Sequence, residues 1–166
     1  MNDDPISCIL NVFLASLQTY MASQSGKAII ASDEIHAWEY TQSNENFPKA
    51  ILLYQGDELR DAYPVAAINR ITKVEFSCIV SRNRSLTADR GAALTQSVGN
   101  ARPLYLIVRE VCDIIRCQTS GIFIEMPVDY RNTGKWQTGA FISDAYSINF
   151  SVPALLPAVS VLNNQT

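Results

Sequence analysis

Ile6, Ile9, Leu10, Phe13, Leu14 and Leu17 recur at three- and four-residue steps near the start of the chain. That spacing predicts an amphipathic helix with one buried face. Asp4 stands at its N-cap and Pro5 at its first position, and Ser25-Gly26 ends it. Short extended pieces are expected next, at Ala28 to Ala31 and at aromatic Ile35 to Tyr40. Polar residues 41–46 read as a turn. Lys49 to Tyr54 is almost continuously apolar, the pattern of a strand deep in a sheet. Gln55 to Asp61 reads as a polar loop. From Ile71 to Ser81 the chain alternates, with Val74, Phe76, Cys78 and Val80 on one face. A strand with one buried and one wetter face is predicted.

Periodicity is lost over residues 82–102, where Gly91 and Gly99 weaken a helical reading of Thr87 to Val98. A long exposed loop is expected there. Pro103 opens a second helix, whose apolar stripe is Leu104, Ile107, Val108, Val111, Cys112 and Ile115. Arg109 and Arg116 fall outside that stripe. Ile122 to Met126 alternates as a strand, and Asn132-Thr133-Gly134-Lys135 carries a hairpin-turn signal. A last strand is predicted over Asp144 to Val152. Pro153 and Pro157 bracket Ala154-Leu155-Leu156 and argue against a central strand there. The pattern predicts an α+β fold: a mixed, mainly antiparallel sheet with two helices packed on one face. Residues 1–153 form one domain in this reading, and 154–166 a C-terminal extension with a loose tip.

The 166 residues suffice for one domain with a core of its own. An apolar share of 48% excludes general disorder. No run of 18 apolar residues is present, so no membrane span is expected, and the acidic start does not resemble a leader. A net charge of -3 and a pI of about 5.1 argue against a general DNA-binding role. Acids dominate residues 1–61. Bases dominate the rest, with Arg82, Arg84, Arg90 and Arg102 opposed only by Asp89 in their segment. Such a segment suits docking on an acidic partner surface. Cys8, Cys78, Cys112 and Cys117 form no C-x-x-C pair. Cys8, Cys78 and Cys112 fall on apolar faces, as buried reduced thiols would.

Reactive constellations are few. The chain has no phosphate-binding glycine loop, no H-E-x-x-H and no G-x-S-x-G. Any histidine-dependent chemistry must use His36, the sole imidazole, beside Trp38. Asp57, Glu58 and Asp61 form a carboxylate cluster without EF-hand spacing. No cofactor is expected. Tyr130 and Trp136 suit either a cross-strand pair or a stacking platform.

Phe47-Pro48-Lys49-Ala50-Ile51-Leu52-Leu53-Tyr54 resembles the F-P-x-x-x-x-x-Y strand of phage tail terminator proteins. Val128-Asp129-Tyr130-Arg131, followed by a turn, Trp136 and the aromatic strand Tyr146 to Phe150, is similar to a second segment of that family. The element order agrees over residues 6–153. The arginine-rich 82–102 segment and the tail past Pro153 depart from the pattern. The resemblance implies a non-enzymatic virion protein assembled in the host cytoplasm. It would form a homohexameric ring on the head-proximal end of the tail tube, stopping tube growth and receiving the head-side connector. DNA would pass through the lumen without specific binding. Arg82, Arg84, Arg90, Arg102, Asp129, Tyr130, Arg131, Lys135 and Trp136 are then candidate partner-interface residues. Alternatives are a head–tail joining (neck) protein of the same architecture, or a small enzyme or ligand-binding domain using His36 and the Asp57–Asp61 loop.

Overall fold

The structure is a computed structural model that describes residues 4–41, 47–59, 69–85, 91, 95–98, 101–117, 129–138 and 141–157. Among these, the elements run α1 (Pro5–Ser23), β1 (Lys27–Ile30), α2 (Glu34–Thr41), β2 (Lys49–Leu59), β3 (Asn69–Ser85), α3 (Leu104–Arg116), β4 (Asp129–Thr138) and β5 (Phe141–Pro157). The sheet has five strands in the order β1-β2-β3-β5-β4. The β1–β2 pair is parallel and the other three pairs are antiparallel. This is the expected α+β fold with a mixed, mainly antiparallel sheet.

The expected pair of helices, α1 and α3, packs on one face. Leu10, Phe13, Leu17 and Met21 of α1 and the whole predicted stripe of α3 are buried there. They meet Ala50 and Leu52 of β2, Val74 to Val80 of β3 at alternate positions, and Ile148, Phe150 and Val152 of β5. Phe13 is the hub, with ring centroids 5.0 Å from Phe150 and 6.4 Å from Phe76. Burying each such ring contributes about 1.5–3 kcal/mol.

Both ends of α1 are closed locally. The Asp4 carboxylate accepts from the Ser7 N–H at 3.2 Å. At the other end Gly26 N donates to Met21 O and Ser25 N to Ala22 O, with Ser25 in the left-handed region at φ 56. That is a Schellman closure. No charged residue occurs in α1. Its Ile6–Ser23 window, with mean hydropathy 1.3, is long and apolar enough to cross a membrane by length and composition. Ser7, Asn11, Ser16, Gln18 and Thr19 interrupt that window, so it is not an unbroken apolar run. The inner face of α1 is sequestered against the sheet.

Several local expectations also change. Ile35 to Tyr40 is helical, not extended, because Asp33 caps α2 through the His36 N–H at 2.8 Å. The polar stretch after Tyr54 continues as β2 to Leu59 instead of opening a loop. A bulge at Gln55, followed by Gly56 at φ 133, shifts the register there. β3 is not one-sided: Ser77, Ile79 and Ser81 on its second face are buried too. A smaller core of Ala31, Ala37, Ile51, Leu53, Ile79 and Ala145 lies on that face, beneath α2. The Asn132–Lys135 turn is instead the interior of β4, with a bulge at Thr133. Thr138 pairs with Phe141 in the antiparallel β4–β5 ladder. β5 runs through Pro153 to Pro157, past the expected end of the domain, paired with β3. Beyond Asn149 its only paired neighbour among the described residues is β3, and proline is tolerated at such an edge. The Ile122 to Met126 strand and the C-terminal tip lie outside the described residues.

Candidate functional site

The arginine segment is built differently from an exposed loop. Residues 82–85 are the end of β3. Arg82 is only 4% exposed and donates through Nη1 to Arg102 O at 3.1 Å and through Nη2 to Gln96 O at 3.5 Å. It therefore pins the following segment back onto the sheet. Arg84 donates through Nε to Asp144 Oδ2 at 2.7 Å, with the Arg84 side chain 9% and the Asp144 side chain 2% exposed. Asp144 lies opposite Arg82 in the ladder. Desolvation lowers the Arg82 pKa, and the charge of Asp144 opposes that shift. These two arginines are internal struts, which corrects the expectation that they lie open for docking. Gly91 and Thr95 are helical, and the Thr95 hydroxyl donates to Gly91 O at 2.7 Å. Arg90 lies outside the described residues.

Arg102 is exposed and belongs to a polar cleft between α1 and α3. The cleft, of about 350 Å³, is lined by Tyr20, Ser23, Gln24, Arg102, Glu110, Asp113 and Ile114. The Tyr20 hydroxyl donates to Glu110 Oε2, and Arg102 Nη1 donates to Glu110 Oε1. Arg102 N–H donates to buried Gln24 Oε1 at 2.8 Å. Burial, then the hydrogen bond to Glu110 and its charge, hold the Tyr20 hydroxyl far above its usual pKa, against a smaller opposite pull from Arg102. With each oxygen of Glu110 engaged, the cluster is a clasp between two helices rather than a base poised for proton transfer. Sequence reasoning missed Tyr20, Gln24, Glu110 and Asp144. The available signal was a glutamate on α3 at the margin of the apolar stripe, three residues after Ile107 and 8 after Arg102.

His36 is exposed at the start of α2. Its Nδ1 lies 2.7 Å from Asp33 Oδ2 and 3.3 Å from Ser32 Oγ. Both contacts fall on the same ring nitrogen. A nucleophile–base–orienter relay needs them on opposite nitrogens, so this is not a Ser-His-Asp triad. Trp38 Nε1 donates to Glu34 at 3.4 Å. Asp57 and Glu58 are strand residues, paired with Val74 and Lys73, and Asp61 lies outside the described residues. Among the described residues no group of three or more His, Cys, Asp or Glu is placed to hold a metal ion.

Cys78 and Cys112 are buried as expected, and burial pushes the Cys78 thiol up to about 12, away from nucleophilic thiolate character. Cys8 is exposed, not buried, because the core face of α1 falls on Leu10, Phe13 and Leu17. Asp129, Tyr130, Arg131, Lys135 and Trp136 fall along β4 at one end of the strand order, and the side-chain environment of these five lies outside the described residues.

The F-P-x-x-x-x-x-Y segment has a clear structural task. Pro48 O accepts from Lys27 N–H at 3.1 Å, which starts the parallel β1–β2 pair. The ammonium of buried Lys49 lies 5.4 Å from the Phe47 ring and 5.1 Å from the Tyr40 ring, and donates to Tyr40 O at 3.0 Å. Tyr54 packs edge-on to Phe76 at 6.1 Å. No protein-family model and no curated protein matches this chain.

Proposed function

We propose that this chain is a structural virion subunit of the tail terminator type. Copies form a ring at the head-proximal end of the tail tube, stop tube growth and offer the head connector a docking surface. The observation that carries this reading is the order of elements around the Phe47–Tyr54 strand: an N-terminal helix, that strand inside the sheet, a long antiparallel partner, a second helix on the same face, then two paired strands. That order follows the one in which the resembling segments occur. The bulged strand at Asn132–Gly134 departs from it, since a turn belongs there in the family pattern.

A ring of identical subunits needs two different, complementary faces on each copy. Uneven charge along the chain supports such a division. The polar clusters at Arg84–Asp144, at Glu110 and at His36 each make internal contacts that account for their placement.

Electron microscopy of tails assembled without this chain tests the reading. Overlong or ragged tubes are expected. Tubes of normal length that fail to join heads would move the role to the neck, and tails that mature and attach normally would overturn both. His36→Ala should leave assembly unchanged.

A further inference from the structure

Two exposed helical faces lie on opposite sides of the sheet, one acidic and the other carrying two arginines beside one exposed acid. On α2, Ile35 is 69% exposed, the largest exposure among the large apolar side chains described. Glu34 and Glu39 flank it, both exposed. On α3, Tyr105 is 41% exposed, with Arg109 and Arg116 along the same outer stripe. Asp113 is the exposed acid of that helix. Ile35 and Glu39 are four residues apart, as are Tyr105 and Arg109, so each pair spans about 6 Å of helix. An apolar contact and an ion pair can therefore form together when one helix lies on the other. α2 covers the smaller core and α3 the larger one, so the faces point away from each other.

We propose that this chain associates head to tail with a second copy of itself. The Ile35–Glu39 face of α2 on one copy seats on the Tyr105–Arg109 face of α3 on the next. Because one contact leaves an unused face on each copy, the interface is heterologous and extends until the rotation closes. The proposal deepens the ring-subunit reading and rests on it for closure; its test reads the interface separately.

The test is sedimentation and native mass measurement of the purified chain and its variants, with circular dichroism as the control for folding. Glu39→Arg alone and Arg109→Glu alone should each weaken self-association by at least about tenfold, since each places like charges in contact. The double swap, Glu39→Arg with Arg109→Glu in one chain, should restore most of it. Ile35→Arg mixed with Tyr105→Arg, each impaired alone, should give dimers and nothing larger, because a single intact face remains on each. A wild-type oligomer indifferent to all these changes would overturn this interface and leave the ring reading standing. A chain that remains monomeric at every concentration would overturn the interface, and microscopy of tails lacking the chain would then decide the ring reading independently.

Discussion

Gly26 is the residue where the α1 closure and the start of the sheet compete for space. A Cβ there would meet Pro48 O at 2.4 Å, with Pro48 Cγ and Met21 Cε at 3.0 Å. Met21 is a flexible end, but the carbonyl is backbone and is already committed to Lys27. Gly26→Ala should therefore cost about 1–3 kcal/mol, read as a lower denaturation midpoint. An unchanged midpoint would mean that the β1–β2 junction moves freely. His36 is a contrasting case, exposed and electrostatic. The Asp33 carboxyl is held below its ordinary 3.8, first by the backbone hydrogen bond from His36, and the imidazole is held above 6.5, first by its side-chain hydrogen bond with Asp33. A raised imidazole favours the fold below 6.5 and loses that support as pH climbs through its folded value. A lowered carboxyl favours the fold above 3.8 and loses support as pH falls through its folded value. The pair thus helps most between 3.8 and 6.5. Asp33→Asn should return the His36 imidazole toward 6.5 in an NMR titration, and an unmoved value would mean the contact is not held in water.

The elements that were legible in the sequence are those whose apolar period is uninterrupted. The α3 stripe and the first face of β3 are buried position for position, while on α1 Leu10, Phe13 and Leu17 are buried and Ile6, Ile9 and Leu14 are partly buried against the same core. The readings that changed share a physical cause: a local device reset the pattern. Asp33 capped a short helix whose Trp38 and Tyr40 favour strands. Gln55 and Thr133 each added a bulge residue, so polar positions that looked like loop or turn are strand interior. Arg82 and Arg84 were illegible for another reason, since their counterparts come from residues far along the chain. Asp144, sixty positions beyond Arg84, is what makes a buried arginine tolerable. Asp144→Ala should cost about 3–5 kcal/mol, because it leaves buried guanidinium without its carboxylate. A loss below about 1 kcal/mol would show that water reaches the pair. β5 offers a second test at this scale. Ending the chain after Pro153 removes the backbone pairing of residues 154–157 with Asn69 to Thr72, whereas ending it after Pro157 keeps that ladder. The shorter chain should melt lower, and equal melting would place the true edge of the domain at Pro153.

For the whole molecule, the sheet acts as a partition. Its five strands separate a large core under α1 and α3 from a small one under α2, and with them two outer surfaces of different charge. The sequence already hinted at this, with acids early and arginines late, but two of those arginines are spent internally and the outward ones on α3 matter instead. The distinction has a measurable consequence. Buried pairs such as Arg84–Asp144 are weakly screened by salt, while exposed charges more than about 10 Å apart are largely screened at 0.1 M. Contact between Glu39 on one copy and Arg109 on the next would be formed from exposed groups. Raising the ionic strength from about 0.05 to 0.5 M should therefore weaken self-association severalfold while barely moving the denaturation midpoint. If both fall together, the charges that join copies are the same ones that hold the fold. If association strengthens with salt, apolar contact dominates, and Ile35 and Tyr105 outweigh the charges around them.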